Sequence, residues 1–246
     1  MSDALLKRYE SLQARAQRLA DIQQVEKVFD TYLQYCALQH EQGVLDTFAL
    51  DLPDVSVEEG YSEVYEGSKA VKGYFAALVR LAGKNGILWE QQAVCPVIEI
   101  AGDGKTAKLV CFARGVKCIA PAELQTYLAG KYYVDFTKQA DRRWKIWHLH
   151  WFMTYETRVK EGFLYNQTNN NREWQHPDLQ DVFVEKPNKP ATYWPVLLNP
   201  VAPADYVPEA PEPYQTYDGI TALKRTRILQ HYWDRAKFEQ EAKNDD

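Results

Sequence analysis

The sequence predicts an α+β domain followed by a proline- and aromatic-rich extension, on three observations. No glycine or proline occurs before Gly43, which marks a long helix. Two tight-turn sequences, Gly102-Asp-Gly-Lys105 and Gln139-Ala-Asp-Arg142, each join two β-rich runs. Nine of the twelve prolines fall between Pro177 and Pro213, so the chain changes character after about residue 160. Helices first and antiparallel strands afterwards make the domain α+β rather than α/β. Residues 1–160 are assigned to the domain with an N-terminal helical arm, and 161–246 to a wrapping extension that ends in a helix.

The helical start carries two apolar stripes. Leu5, Tyr9, Leu12, Ala16 and Leu19 repeat at four and three, and Ile22, Val25, Phe29, Tyr32 and Cys36 follow. Together they read as one long helix that could break near Asp21, its first half an arm that packs on a partner and its second half the first core helix. Gly43 is a plausible stop, and a helical turn is expected over Leu45–Leu50. Val55–Tyr65 reads as a short hairpin and Ser68–Leu81 as an amphipathic helix with Val71, Phe75, Leu78 and Val79 inward. Strands are expected over Val97–Ala101, Thr106–Lys117, Leu124–Lys138 and Arg143–Arg158.

After residue 160 the prolines are interleaved with Trp174, Tyr193, Trp194, Tyr206, Tyr214 and Tyr217. A disordered tail is poor in aromatics, so this segment is expected to be ordered, wrapping its own domain or a neighbouring subunit. Asp218 could cap a last helix from about 219 to 243. With the arm, the extension points to a homodimer or a higher symmetric oligomer.

Net charge is -5 and neither sign forms long blocks, which argues against a nucleic-acid partner. No apolar run approaches a membrane span, and the charged first twenty residues lack a signal-peptide core. Cys36, Cys95, Cys111 and Cys118 show no CxxC spacing, and read as reduced, buried thiols in a cytoplasmic protein. The 16 Tyr and 7 Trp suit places that use an apolar body and a polar tip, pockets or interfaces, as well as an ordinary core.

Candidate chemistry centres on the last strand. Strand alternation puts Trp144, Ile146, His148, His150 and Phe152 on one face, and a histidine there is an acid/base candidate; the structural alternative is one histidine buried and bonded to backbone and the other solvated. His-x-His could also ligate a metal, but needs a carboxylate and a third ligand, and no second histidine cluster lies nearby. Arg114 sits in a mostly apolar strand and needs a partner, either a substrate oxygen or a carboxylate such as Glu58 or Asp135. Asp135 could instead orient a histidine. Tyr32 and Tyr35 lie on the first core helix, and a phenol there could stabilise an oxyanion or simply pack. Gly130 marks a candidate bulge and leaves open which of Tyr127, Lys131, Tyr132 and Tyr133 face inward.

Three stretches resemble the SnoaL-like branch of the NTF2-like superfamily. They are Phe48-Ala-Leu-Asp-Leu-Pro-Asp-Val-Ser-Val57 with Tyr65-Glu-Gly-Ser-Lys-Ala-Val71; Pro96-Val-Ile-Glu-Ile-Ala-Gly-Asp-Gly-Lys-Thr-Ala107; and Gly130-Lys-Tyr-Tyr-Val-Asp-Phe136 with Trp144-Lys-Ile-Trp-His-Leu-His150. The resemblance covers about residues 20–160 and implies a curved antiparallel sheet closed by helices into a cone around a pocket. It places the last strand beside the pocket and Glu58, Glu59 and Tyr61 near its mouth. Tyr35, Glu58, Tyr61, Tyr127, Tyr132, Asp135 and Trp151 are the substrate-binding candidates, and His148, His150, Arg114 and Tyr32 the catalytic ones. The sequence departs from the family's dehydratases in lacking a Tyr–Asp pair on the first helix and an isolated helix Asp–His pair.

No Ser-centred triad, P-loop or dinucleotide-binding turn is visible. The expectation is a cofactor-independent lyase or isomerase acting by proton transfer on an aromatic small molecule. Some bacterial relatives release formaldehyde from lignin-derived phenolic dimers, so loss of formaldehyde or of water is implied by analogy. The rival expectation is a non-catalytic binding or subunit-partner protein, as dioxygenase β-subunits are.

Overall fold

The computed structural model describes residues 3–59, 64–160, 182, 185–192 and 207–219. Helix α1 (Asp3–Ala37) is the one long helix the sequence suggests, continuous through Asp21, where a break was the alternative. Asp21 is 2% exposed and accepts from Lys138 Nζ at 2.6 Å, Trp144 Nε1 at 2.9 Å and Gln17 Nε2 at 3.2 Å. An internal acid thus has three donors, two of them supplied by the sheet, and the helix has no reason to open there. Helix α2 (Glu41–Asp46) follows, its first turn closed by His40 Nδ1, which accepts from Gly43 N at 2.8 Å.

Strands β1 (Ser56–Glu59) and β2 (Val64–Glu66) pair antiparallel, and α3 (Ser68–Ala82) comes next. Then come β3 (Ile87–Ile100), β4 (Thr106–Ile119), β5 (Leu124–Lys138) and β6 (Trp144–Arg158). They form one curved sheet in the order β2-β1-β6-β5-β4-β3, antiparallel except for the parallel pair β1 and β6. Both expected turns are present: Gly104 takes φ +68° in the first and Arg142 φ +68° in the second.

Strand β3 begins ten residues earlier than Val97. Pro96 cannot donate to a ladder and reads as a breaker, but here it sits in a bulge, where the register with β4 shifts between Val94 and Val97 and Cys95 takes φ +57°.

Helices α1 and α3 cover the concave face of the sheet. Val25, Phe29 and Tyr32 of α1 and Val71, Tyr74 and Phe75 of α3 meet Leu109, Cys111, Tyr132, Val134, Leu149 and Trp151 in one core. The aromatics interlock edge to face, Phe29 on Tyr132 at 5.5 Å and Tyr32 on Phe75 at 6.1 Å.

The described parts of the extension lie against the same chain. Lys189 bridges Val64, and Asn188 exchanges hydrogen bonds with the Glu66 backbone, which extends the β2 edge. Residues 207–219 cross the convex face. Lys131 Nζ donates to Pro208 O at 2.8 Å, and buried Lys108 Nζ donates to Asp218 Oδ1 and Gly219 O, each at 2.9 Å. Asp218 therefore ends in an ion pair with Lys108, while the helix expected from 219 to 243 lies outside the described residues apart from Gly219. In the arm, Leu5, Tyr9, Leu12 and Leu19 are all more than half exposed. Among the described residues, no helix is long and apolar enough to cross a membrane.

Candidate functional site

Sheet register decides which side chains reach the interior. Val57 is fully buried in the core, so strand alternation turns Glu59 to the concave face and Glu58 to the convex one. On β5, Tyr132, Val134 and Phe136 point inward, which sends Tyr133 and Asp135 outward. On β6 the pairing passes from Asp135–His148 to Phe136–Ile146. One extra residue, Trp147, is inserted, so the parity of the strand reverses there.

That bulge corrects the reading of the last strand. Trp144 and Ile146 face the core with Leu149 and Trp151, whereas His148, His150 and Phe152 face the convex side. A simple alternation rule from Trp144 cannot see the inserted residue.

The concave side holds a cavity of about 150 Å³ between the C-terminal turn of α1, the C-terminal half of α3 and the start of β3. Glu59 enters it from the end of β1, and Tyr32, Tyr74, Tyr132, Cys36 and Gln91 are among the polar side chains that line it with Glu59. These form three pairs. Tyr74 hydrogen-bonds Glu59, Tyr32 hydrogen-bonds Cys36 one helical turn away, and Tyr132 Oη donates to Gln91 Oε1. Phe75, Leu78, Leu81, Ile87 and Trp89 make the apolar wall.

Electrostatics follow from burial. Desolvation pushes the Glu59 carboxyl up to about 7, with the Tyr74 bond only partly opposing it. Burial also holds the phenols of Tyr32, Tyr74 and Tyr132 well above their ordinary range, so they remain neutral donors. The Cys36 thiol is pushed to about 12 by the same cause, which makes it a poor nucleophile at neutral pH. A carboxyl titrating near neutrality can both accept and return a proton.

The expected residues separate accordingly. Tyr32, Tyr35 and Tyr132 line the cavity. Trp151 lies beneath it, packed on Tyr132 at 4.9 Å. Arg114 is exposed on the convex side, level with Gln92 and Ala129, and not buried against a substrate oxygen; an even-numbered β4 position faces away from the core because Leu109, Cys111 and Ala113 face into it. Tyr127 is likewise outward and 47% exposed. Tyr61 lies outside the described residues.

The remaining candidates gather on the convex face in two clusters. Fully buried Asp135 accepts from Tyr133 Oη at Oδ1 (2.7 Å) and from Tyr217 Oη at Oδ2 (2.8 Å), and His148 Nδ1 lies 3.0 Å from the same Oδ2. Asp135 therefore orients a histidine, as one sequence reading had it, but outside the cone and under Tyr217 of the extension. Glu58 accepts from Thr192 N at 2.7 Å and Thr192 Oγ1 at 2.6 Å. His150 Nδ1 lies 3.4 Å from Glu58 Oε2, and neither ring nitrogen has a hydrogen-bond partner among the described residues. Burial raises Glu58 to about 7 and lowers His150 to about 3. Both clusters fasten the extension or fill the space beneath it.

Glu59, which the resemblance places near the mouth, enters the cavity's interior, and Tyr74, Cys36 and Gln91 complete it beyond the expected set. Two had a signal in sequence: Glu59 follows Val55 and Val57 at period two, and Tyr74 falls on the Val71–Phe75–Leu78 stripe. Gln91 was hidden by the strand start that Pro96 obscured. Among the described residues no group of three or more His, Cys, Asp or Glu side chains could hold a metal ion.

A SnoaL-like domain family profile matches residues 17–150. No curated protein matches the sequence. Among solved structures, the chain is similar to the LinA-type3 hexachlorocyclohexane dehydrochlorinase of Novosphingobium barchaimii LL02, at 13% identity and TM-score 0.50, covering 60% of this chain and 95% of that one. LinA itself gives 11% identity and TM-score 0.50 over the same shares. An NTF2-like superfamily protein of Salmonella enterica gives 16% identity and TM-score 0.48, over 58% of this chain and 97% of that one. With the family match spanning more than half of the residues and the cone's helices and sheet in place, this chain belongs to the SnoaL-like domain family.

Proposed function

We propose that the chain is a cofactor-independent lyase or isomerase that moves a proton within the concave cavity, with Glu59 as the acid/base. One observation carries the reading: a carboxyl raised to about 7 by burial stands in an aromatic-lined cavity, hydrogen-bonded to Tyr74. Such a group is matched to proton abstraction from carbon near neutral pH.

In an isomerisation, Glu59 takes a proton from one carbon and returns it to another, so the carboxylate is regenerated. In a dehydration, it breaks the C–H bond, the electron pair forms a double bond, and the neighbouring hydroxyl leaves as water with the same proton. The neutral phenols stabilise oxygen charge that develops on the way. The rings of the wall suit an aromatic substrate. Loss of water or of formaldehyde from a phenolic compound is the finer form of this reading, and the family resemblance stated for the sequence favours it.

The test is turnover by Glu59→Gln once ring ketones and phenolic dimers have been screened for a substrate by thermal shift. Turnover should fall about 10²- to 10⁴-fold with the melting temperature held or raised, because an unfavourable buried charge is removed. Undiminished turnover would reject Glu59 as the acid/base.

A further inference from the structure

We infer that this cavity selects uncharged ring compounds and excludes their carboxylated analogues. The inference rests on the placement of the reaction in the concave cavity, but concerns which molecules enter rather than what is done to them.

The cavity's own charge is acidic. Glu59 reaches its interior, and Glu41 of α2 and Glu90 of β3 line its more exposed side. The described lining residues supply phenols, a thiol and two amides besides these carboxylates, and no lysine, arginine or histidine. Arg114, the cation expected to hold a substrate oxygen, is on the other face of the sheet. A carboxylate entering here would leave water, find no described counter-charge in the lining, and lie near an ionised Glu59 in surroundings of low polarity. An amide, ketone or hydroxyl carries no such cost, and can exchange hydrogen bonds with the amide of Gln91 and the phenols of Tyr132 and Tyr74. The aromatic walls contributed by Phe75 and Trp89 favour a ring.

Benzamide and benzoate are nearly equal in size and differ in charge, so they separate this effect from fit. Binding of each to the full chain is measured by calorimetry at pH 8.5, where Glu59 is ionised, in the wild type and in Glu59→Gln. Benzamide should bind, and benzoate should bind at least about tenfold more weakly. In Glu59→Gln the gap should close to within a few-fold, through tighter binding of benzoate. Three results would overturn the inference: benzoate binding the wild type as well as benzamide does, a gap that survives in the variant, or no binding of either compound at millimolar concentration. Failure of the catalytic reading shows elsewhere, as unchanged turnover in Glu59→Gln, and leaves the binding comparison valid. Should the variant fold poorly, the gap must close in the wild type at pH 5.5, where Glu59 is protonated while benzoate keeps its charge.

Discussion

Glu58 and Glu59 are consecutive on β1, yet their carboxyls lie on opposite sides of the sheet, Glu58 against Thr192 of the extension and Glu59 in the concave cavity. Burial raises both to about 7. The same electrostatic perturbation thus serves two surroundings: one closed by the chain's own backbone and hydroxyl donors, the other opening on space for a ligand. Only the second leaves room for chemistry.

The convex pair makes a pH prediction. A carboxyl whose value is raised from 4.5 to about 7 in the folded state contributes stability fully present below 4.5 and lost as pH rises through 7. Glu58→Gln removes that contribution while retaining an acceptor for Thr192 N. The melting temperature of the variant relative to wild type should therefore rise between pH 5 and about pH 8. Thermal melts at the two pH values check it, and a constant difference would contradict it.

His150 predicts the opposite slope. Its value is lowered from 6.5 to about 3 by burial, so the stability of the neutral ring is present above 6.5 and lost as pH falls towards 3. Its ring stacks on Phe152 at 3.8 Å with both nitrogens unpartnered among the described residues. His150→Phe should stabilise by about 1–2 kcal/mol at pH 7 and flatten the loss below pH 6.5, as measured by denaturant unfolding. Destabilisation at neutral pH would show that the imidazole has a partner or a role that the apolar ring cannot replace.

Asp21 holds α1 to the β5–β6 turn. Removing one member of a buried charged pair leaves the other uncompensated, so Asp21→Ala should cost about 3 kcal/mol or more. Lys138 Nζ and Trp144 Nε1 would both lose their acceptor. Urea unfolding is the measurement, and a change below about 1 kcal/mol would mean that the two donors find water instead.

The arm predicts assembly. Leu5, Tyr9, Leu12 and Leu19 follow a four–three spacing and stand exposed on a single chain, a costly surface unless another helix covers it. Light scattering should give at least twice the 28.5 kDa of one chain, and Leu12→Glu with Leu19→Glu should bring the mass down towards 28.5 kDa. A wild-type mass of one chain would contradict the prediction.

The fold was legible because its signals are local: a glycine- and proline-free start, two turns, and strand-rich runs between them. Strand β3 was half legible, since Pro96 looks the same in a bulge as in a loop. The candidate site was legible only in part, because facing depends on register. One inserted residue at Trp147 moves His148 and His150 from the expected face to the other, and nothing in the local sequence marks it. The parallel pairing of β1 with β6 joins residues some ninety positions apart, so Glu58 meeting His150 could not be read from either segment. Val57 did carry the information that Glu59 points inward, and Tyr74 sat on a recognisable stripe.

The pH dependence of kcat/KM, measured on wild type, Glu59→Gln and His148→Ala with one substrate, tests the central claim most directly. Glu59 as the base predicts a rate that rises with pH to a plateau above about 7, as the carboxyl ionises. That rising limb should vanish in Glu59→Gln, with a rate lower by about 10²-fold or more, and persist unchanged in His148→Ala. A limb that survives in Glu59→Gln but disappears in His148→Ala would contradict the account and move the chemistry to the convex face.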